Sequence, residues 1–398
     1  MNLIVTAEYR FDRTPDGVVW TQTGYAHSFW RRYLTVFDHT RVVARVRKVS
    51  SVPSDWQRAD GEGVSFAAVP HYLGPWQYLR RLQRVQCAAR NAVGASDAVI
   101  LRVSSQIAAC IESQLRRTGH PYGVEVVGDP YDTFAPGAMR HPLRLFFRWW
   151  FTRQLQRQCA GACAAAYVTE HALQRRYPAG PGAFSTHFSS IELAGAAFVA
   201  VPRPPRHGTG SFTLIMVGTL AQLYKAPDVL IDAVAACVRK GLGLKLVLVG
   251  DGQHRPELEA RAAKLGLGER VCFRGWVAAG EAVRAQLDQA DLFVLPSHQE
   301  GLPRAMIEAM ARGLPCIGST VGGIPELLPP EDMVLPGDVA ALARRIRQVL
   351  TDPERMARMS ARNLKKAKAY SEEILRERRV AFYRYVRERT EIWIKSRD

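Results

Sequence analysis

Apolar and polar positions follow two alternating periods along this chain. From residue 212 onward, short β-branched runs at 212–217, 244–249, 271–273, 292–295 and 315–318 are separated by longer stretches with apolar residues every three or four positions. These stretches lie at 227–239, 256–264, 281–289 and 303–312, with one more at 339–350. A strand covered by helices on both faces reads as a nearly continuous apolar run, and a helix of this length supplies the crossover to the next parallel strand. The pattern predicts right-handed βαβ units and a parallel sheet wound on both faces. The first half repeats the pattern less crisply, with strands near 2–7, 41–46, 64–69, 98–103, 123–127 and 164–168. Two α/β domains in tandem are expected.

Residues 201–211, Val-Pro-Arg-Pro-Pro-Arg-His-Gly-Thr-Gly-Ser, are rich in Pro and Gly, which suits a linker better than a helix or strand. The predicted organisation is a Rossmann-like domain at 1–200, the linker at 201–211, and a second Rossmann-like domain at 212–370. A terminal helix at 371–398 is expected to cross back to the first domain. From Pro353 onward the chain is charged and mostly helical in pattern, and it carries Tyr370, Phe382, Tyr383, Tyr385 and Trp393. Internal repeats and low-complexity tracts are absent.

Composition narrows the class. A chain of 398 residues with 47% apolar and 23% charged residues is globular and long enough for two cores. Its apolar runs are strand-sized, far short of the roughly 18 residues a spanning helix needs. The residues Met1-Asn-Leu-Ile-Val-Thr6 lack the marks of a secretory signal and read as a first strand, so a cytoplasmic location is expected. Seven cysteines, Cys87, Cys110, Cys159, Cys163, Cys237, Cys272 and Cys316, are scattered without CxxC or zinc spacing. They are expected to be reduced core residues, and no metal site is expected. The net charge of +17 favours anionic partners, which include nucleic acid, anionic lipid and phosphorylated small molecules. With no basic run, zinc finger or RNP-like aromatic motif, specific nucleic-acid binding is not expected.

Open α/β sheets bind ligands beyond the carboxyl ends of their strands. After the run 212–217 comes Gly218-Thr-Leu-Ala-Gln-Leu-Tyr-Lys225-Ala-Pro227. Gly218 permits a tight exit, Pro227 suits a first helical turn, and Lys225 stands at a helix N-terminus, where it holds a phosphate or is a solvated lysine beside a cap. Gly250-Asp251-Gly252 forms a tight turn open to close ligand approach, or simply a turn. At Gly275-Trp276-Val277 a flat base can lie against the indole, or Trp276 is a core residue. In Pro296-Ser-His-Gln-Glu300-Gly-Leu-Pro303-Arg-Ala-Met-Ile-Glu308, one carboxylate sits at the sheet mouth and the other inside the following helix. The N–H groups of Gly301 and Leu302 lie beside them, offering acceptors for sugar hydroxyls next to a nest for phosphate oxygens. The structural alternatives are an i,i+4 ion pair of Glu308 with Arg304 and a helix-dipole partner at Glu300.

Taken in order, Gly218, Lys225, Gly250-Asp-Gly252, Phe273-x-Gly275, Pro296-Ser297, the E-x7-E pair Glu300 and Glu308, and Gly322-Gly-Ile324-Pro-Glu326 resemble a large family. It is the retaining, family 4-like group 1 glycosyltransferases, which include many bacterial wall, capsule and exopolysaccharide enzymes. The resemblance runs from about 212 to 350. It implies an α/β fold of the GT-B type, two Rossmann-like domains facing each other across a cleft, with the sugar-nucleotide donor in the second and the acceptor in the first. By the same resemblance Glu300 contacts the donor sugar near its C3 hydroxyl as a catalytic residue, and Glu308 contacts the ribose. Lys225 holds the diphosphate, the N–H groups of Gly301 and Leu302 meet it, and Gly218 and Gly252 line the donor loops. Trp276 lies in the loop that contacts the base. Thr219 stands where many relatives have arginine. The resemblance implies retention through same-face attack, with no metal and no cofactor apart from the donor substrate.

The first domain departs from the family pattern. Thr23-Gly24-Tyr25 stands in a long insertion where relatives have a glycine-rich loop, and Gly128-Asp129-Pro-Tyr-Asp132 stands where they have a histidine. Asp129 is the candidate for orienting the acceptor, with Asp132 second; the alternative is that both are surface turn residues. Arg102 is a weaker candidate, or else a solvated loop arginine. Residues 141–157 mix arginines with aromatics at helical spacing, as either a bilayer-interface helix or a packed helix with its aromatics in the core. The reading is a cytoplasmic glycosyltransferase, peripheral on the inner face of the membrane, acting in cell-envelope or exopolysaccharide synthesis. Its partners are a nucleotide-sugar donor, a glycan or lipid-linked acceptor, and an anionic membrane surface. The alternatives are a GT-B sugar-nucleotide epimerase and a non-catalytic anionic-surface binder.

Overall fold

The computed structural model describes residues 1–22, 24–135, 141–206 and 210–397. Thr23, from the insertion, and 207–209, from the linker, fall outside the described residues. The first sheet contains β1 (Asn2–Arg13), β2 (Val19–Thr21), β3 (His39–Lys48), β4 (Gln57–Arg58), β5 (Val64–Pro70), β6 (Ala98–Val103), β7 (Gly123–Val126), β8 (Ala164–Tyr167) and β9 (Phe184–His187). Its main strands run parallel in the order β5-β3-β1-β6-β7-β8-β9, and β2 and β4 form a short antiparallel ribbon at the end of β1. The second sheet contains β10 (Phe212–Val217), β11 (Leu244–Val249), β12 (Val271–Gly275), β13 (Leu292–Leu295), β14 (Cys316–Ser319) and β15 (Met333–Val334). It is parallel, in the order β12-β11-β10-β13-β14-β15. In both sheets the strand that comes first in sequence lies inside the order and the winding reverses beside it, which opens a crevice at the carboxyl ends.

The apolar runs explain these elements. All six positions of β6 and all four of β13 are buried, as expected for strands covered on both faces. Pro227 occupies the first turn of the helix Pro227–Arg239, which turns Leu230, Ile231, Val234 and Cys237 into the core. Complete burial of a side chain such as Leu230 contributes roughly 1.5–3 kcal/mol.

The terminal segment behaves as its aromatic content predicts. The helix Pro353–Ala367 packs on the second domain, where Asn363 Nδ2 donates to the Leu314 carbonyl at 2.8 Å. The chain then crosses over, the Glu372 N–H bonding the Leu193 carbonyl at 3.0 Å. The helix Glu372–Lys395 buries Phe382, Tyr383 and Val386 against the first sheet. Gly123 of β7 permits the approach, because a Cβ there would stand 2.7 Å from Val386 Cγ2.

Three expectations need correction. Arg102 is neither a solvated loop residue nor an acceptor contact: it lies within β6, is buried, and ion-pairs with Glu125, whose carboxylate also accepts from Tyr33 Oη at 3.1 Å and Tyr383 Oη at 3.4 Å. All seven cysteines are free, but Cys87 and Cys272 are exposed, the first on the solvent side of a helix and the second on β12. The helix Arg144–Gly161 sends Leu155, Gln158 and Cys159 inward and leaves Leu145, Phe146, Trp149 and Trp150 exposed, so these four are not core residues.

Candidate active site

The loops after β10, β11 and β12 are laced together by backbone hydrogen bonds. The Gly218 N–H bonds the Val249 carbonyl at 2.9 Å, Leu220 N–H bonds Asp251 at 2.9 Å, and Gly250 N–H bonds Gly275 at 2.8 Å. Glycine is required at these crossings. A Cβ on Gly250, at φ +136°, would stand 1.8 Å from the Gly218 carbonyl oxygen, and one on Gly252, at φ +158°, 2.0 Å from the Ala221 nitrogen. The loop after β13 joins them through the His298 N–H, which bonds the Tyr224 carbonyl at 2.7 Å.

At this edge Lys225 runs back across Gly218, where a Cβ would stand 2.3 Å from Lys225 Cδ. Its Nζ donates to Glu300 Oε1 at 2.6 Å, and the buried Ser297 hydroxyl donates to the same oxygen at 2.8 Å. Glu300 is only 8% exposed. Its backbone is gripped by the Gly322-Gly323 turn: the Gly323 N–H bonds the Gly301 carbonyl at 2.6 Å, and Gly322 has φ +53° with no room for a Cβ. The N–H groups of Gly301 and Leu302 have no hydrogen-bond acceptor among the described residues.

Two cavities lie between the domains. One, of about 540 Å³, is lined by Glu300, Gly301 and Thr320 from the second domain and by Asp129, Asp132 and Arg176 from the first. The other, of about 330 Å³, is lined by Glu308, Arg304 and Arg284 opposite Gly24, Arg32 and Glu192. The E-x7-E carboxylates therefore open on different cavities. Glu308 forms no ion pair with Arg304 among the described residues. Burial raises its carboxyl above the ordinary range, with Arg304 and Arg284 opposing.

Across the larger cavity Asp129 is buried and fully engaged. It caps the turn that follows by accepting the Tyr131 N–H at 2.9 Å, accepts Tyr177 Oη at 2.5 Å, and ion-pairs with Arg176. Asp132 also meets Arg176, at 3.2 Å; burial and the neighbouring Asp129 raise its carboxyl, and Arg176 opposes them. Neither is a solvated turn residue. The domains are fastened beside this cavity by Glu326, whose carboxylate accepts the N–H groups of Glu170 at 2.6 Å, His171 at 2.9 Å and Ala172 at 2.6 Å.

Residues 211–352 match the family described as Glycosyl transferases group 1. The second domain belongs to the group 1 glycosyltransferases. Protein CapJ of Staphylococcus aureus is 26% identical over 392 residues, covering 97% of this chain and 96% of that protein. Among solved structures, sucrose-phosphate synthase from Thermosynechococcus elongatus superposes with a TM-score of 0.68 at 18% identity, covering 96% of this chain and 98% of that one. Anabaena HepE, solved with UDP and glucose, gives 0.64 at 16% identity over 96% and 98% of the two chains. The two-domain fold is GT-B, as the sequence resemblance implied.

Within the group 1 domain, Gly218, Lys225, Glu300, Gly301 and Leu302 come together at one point, and Glu308 sits apart from them. Thr219 is exposed and bonds within its own loop, its Oγ1 accepting the Ala221 N–H at 3.1 Å. Trp276 is 76% exposed, which removes the core alternative, and it lies outside both cavity linings. Arg176 and Tyr177, which hold Asp129, left no signal in the sequence because their partner is 47 and 48 residues away. Glu326 entered the sequence reading only as the last residue of the Gly-Gly-Ile-Pro-Glu motif, and its bonds to the first domain come from the fold. Among the described residues no three His, Cys, Asp or Glu side chains are grouped to hold a metal ion.

Proposed function

We propose that this protein transfers a sugar from a nucleotide-diphosphate donor to a glycan or lipid-linked acceptor, with retention of anomeric configuration, in building a cell-envelope or extracellular polysaccharide. The observation that carries this reading is the Lys225–Glu300 contact at the mouth of the second sheet, beside the N–H groups of Gly301 and Leu302, which have no partner among the described residues. Lys225 and these N–H groups offset the charge that grows on the departing diphosphate, in a site that needs no reorganisation as charge develops. Glu300 orients the donor sugar through its hydroxyls and Glu308 takes the ribose. The loop at Trp276 offers an aromatic surface to the base. The acceptor oxygen bonds to the anomeric carbon on the face from which the phosphate oxygen leaves, and the acceptor's proton passes to that oxygen. Asp129, which lines the first-domain side of the cavity, acts through Arg176, holding its guanidinium where the incoming group enters. Neither metal nor cofactor enters this scheme, so a chelator leaves transfer unchanged.

Support also comes from HepE, which was solved with UDP and glucose, and from the group 1 match. No feature of the site favours the epimerase alternative, and product analysis separates it because an epimerase needs no acceptor. The test is a thermal-shift and calorimetric screen of UDP, GDP, ADP and dTDP, alone and as their common sugar conjugates. A cognate nucleotide at a hundred times its Kd stabilises the protein by about 2.7 kcal/mol. The expected result is one such nucleotide, with its effect strongly reduced in Lys225→Ala. No stabilisation by any of them overturns the reading.

A further inference from the structure

We propose that one face of the first domain docks on an anionic lipid bilayer. The surface is built from two helices, Gly74–Asn91 and Arg144–Gly161, whose inner faces share one core: Val85 and Ala89 from the first pack in the same cluster as Leu155 and Cys159 from the second. Both helices therefore cover the same side of the sheet. β5 leads into the first helix and the second leads into β8, so in a parallel sheet both helices begin at the carboxyl edge, where the interdomain cleft opens.

At those beginnings both helices turn large apolar side chains outward. Trp76 is 78% exposed, and Leu73 and Leu79 flank it. On the other helix Trp149 is 56% and Trp150 50% exposed, beside Leu145 and Phe146. The rings of Phe146, Trp149 and Trp150 touch one another, with centroids 6.0–6.3 Å apart. An isolated exposed apolar residue needs no explanation, but indoles exposed on two helices of one face, which flank the helix Gln106–Thr118 with its Glu112 carboxylate buried, mark an interaction surface.

The charge around them selects the partner. No Asp or Glu occurs at residues 63–96 or 133–169, the two segments that contain these helices. Arg80, Arg84 and Arg153 follow the apolar residues along the exposed sides and make no hydrogen bond or ion pair among the described residues. Indoles at the depth of the headgroups with arginines reaching anionic lipid phosphates is the arrangement of an interfacial helix. An acid-free surface on a chain of net charge +17 is complementary to that partner. No helix among the described residues is long and apolar enough to cross a membrane, so the contact is with the surface. Docked in this way, the first domain brings the cleft mouth to the bilayer, where a lipid-linked acceptor is held.

The test is flotation of the full chain with vesicles of phosphatidylcholine alone and vesicles in which a third of the lipid is phosphatidylglycerol. The protein is expected to float with the anionic vesicles at low salt. The bound fraction should fall about tenfold or more in the double variant Trp149→Glu/Trp150→Glu and in Trp76→Glu/Leu79→Glu. Ile392→Glu, an exposed apolar position on the terminal helix, should bind as the parent does. Because the substituted side chains are exposed, unchanged melting temperatures verify folding. Absence of flotation at low salt, or flotation that both double variants share, overturns the proposal. So does sedimentation showing that Trp149 and Trp150 join two copies of the chain without lipid. Nucleotide stabilisation measured on the same variants keeps the donor site separate, since it is expected to survive the loss of vesicle binding.

Discussion

Lys225 Nζ and Glu300 Oε1 stand 2.6 Å apart, so the groups assigned to the donor's diphosphate and to its sugar are bonded to each other. A donor must replace that contact at both ends, which couples recognition of its two parts. Glu300→Gln is expected to lower kcat for transfer about a hundredfold, equivalent to about 2.7 kcal/mol of lost transition-state stabilisation. Affinity for the sugar-free nucleoside diphosphate should hold or rise, because Lys225 is released. Transfer kinetics with calorimetry check this, and a glutamine variant with parental kcat refutes the role of Glu300.

Gly322 controls where Glu300 sits. Its φ of +53° is unfavourable for any side chain, and a Cβ would stand 2.0 Å from the Glu300 carbonyl oxygen, a backbone atom. Gly17, at φ +89°, has nothing within 4 Å. Alanine at Gly17 is expected to cost roughly 1 kcal/mol of stability from backbone conformation alone. At Gly322 the cost should be about 3 kcal/mol or more, with loss of transfer. Urea denaturation of the two variants compares them directly, and equal costs would show that the turn does not hold the Glu300 backbone.

Glu326 ties the second domain to three backbone N–H groups of the first. A glutamine has one acceptor oxygen and no charge, so Glu326→Gln should weaken the contact by about 1–3 kcal/mol. Amide exchange at residues 170–172 is expected to accelerate about tenfold or more, while exchange in β6 and β13 stays slow. Unaltered exchange at 170–172 removes Glu326 from the account of how the domains are held.

The raised carboxyl of Glu308 fixes the sign of a pH effect. The folded chain holds this proton more tightly than the unfolded chain, so the group's contribution to stability is greatest below the unfolded value, about 4.3, and declines as pH rises through the folded value. Glu308→Gln removes that dependence. Its melting temperature should exceed the parent's near neutral pH, and the gap should close on acidification towards pH 4. A parent more stable than the variant at neutral pH would mean that Arg304 and Arg284 outweigh burial.

The second domain was largely legible because β10, β11, β13 and β14 are mostly buried apolar runs separated by helical ones, whereas the edge strand β12 exposes Cys272 and Arg274 and β15 has two residues. The strands β10, β11 and β13 and the helix Pro227–Arg239 fall on the boundaries their periodicity predicts. In the first domain β1, β3, β5, β6, β7 and β8 were visible. β4 has two residues and β9, Phe-Ser-Thr-His, lacks an apolar run, so hydropathy gives them no signal. The donor-side residues were legible because close backbone crossings demand glycine at 218, 250, 252 and 322, and these leave a spacing that can be read. Asp129 was singled out, but its partners Arg176 and Tyr177 are contacts of the fold, as is the Arg102–Glu125 pair. The outward turn of Trp149 was equally hidden, because helical spacing says which residues share a face and not which way that face points.

The crossing of the terminal helix changes the order in which the protein can be completed. Phe382, Tyr383 and Val386 close the first domain, and Tyr383 reaches the buried Glu125. A chain emerging from the ribosome therefore presents the first sheet with one side of its core open until the last turns have been made. The group 1 domain, contiguous in sequence, can close on itself before then. The domain begun first is finished last, and a nascent chain stalled before residue 372 exposes the apolar patch that this helix covers.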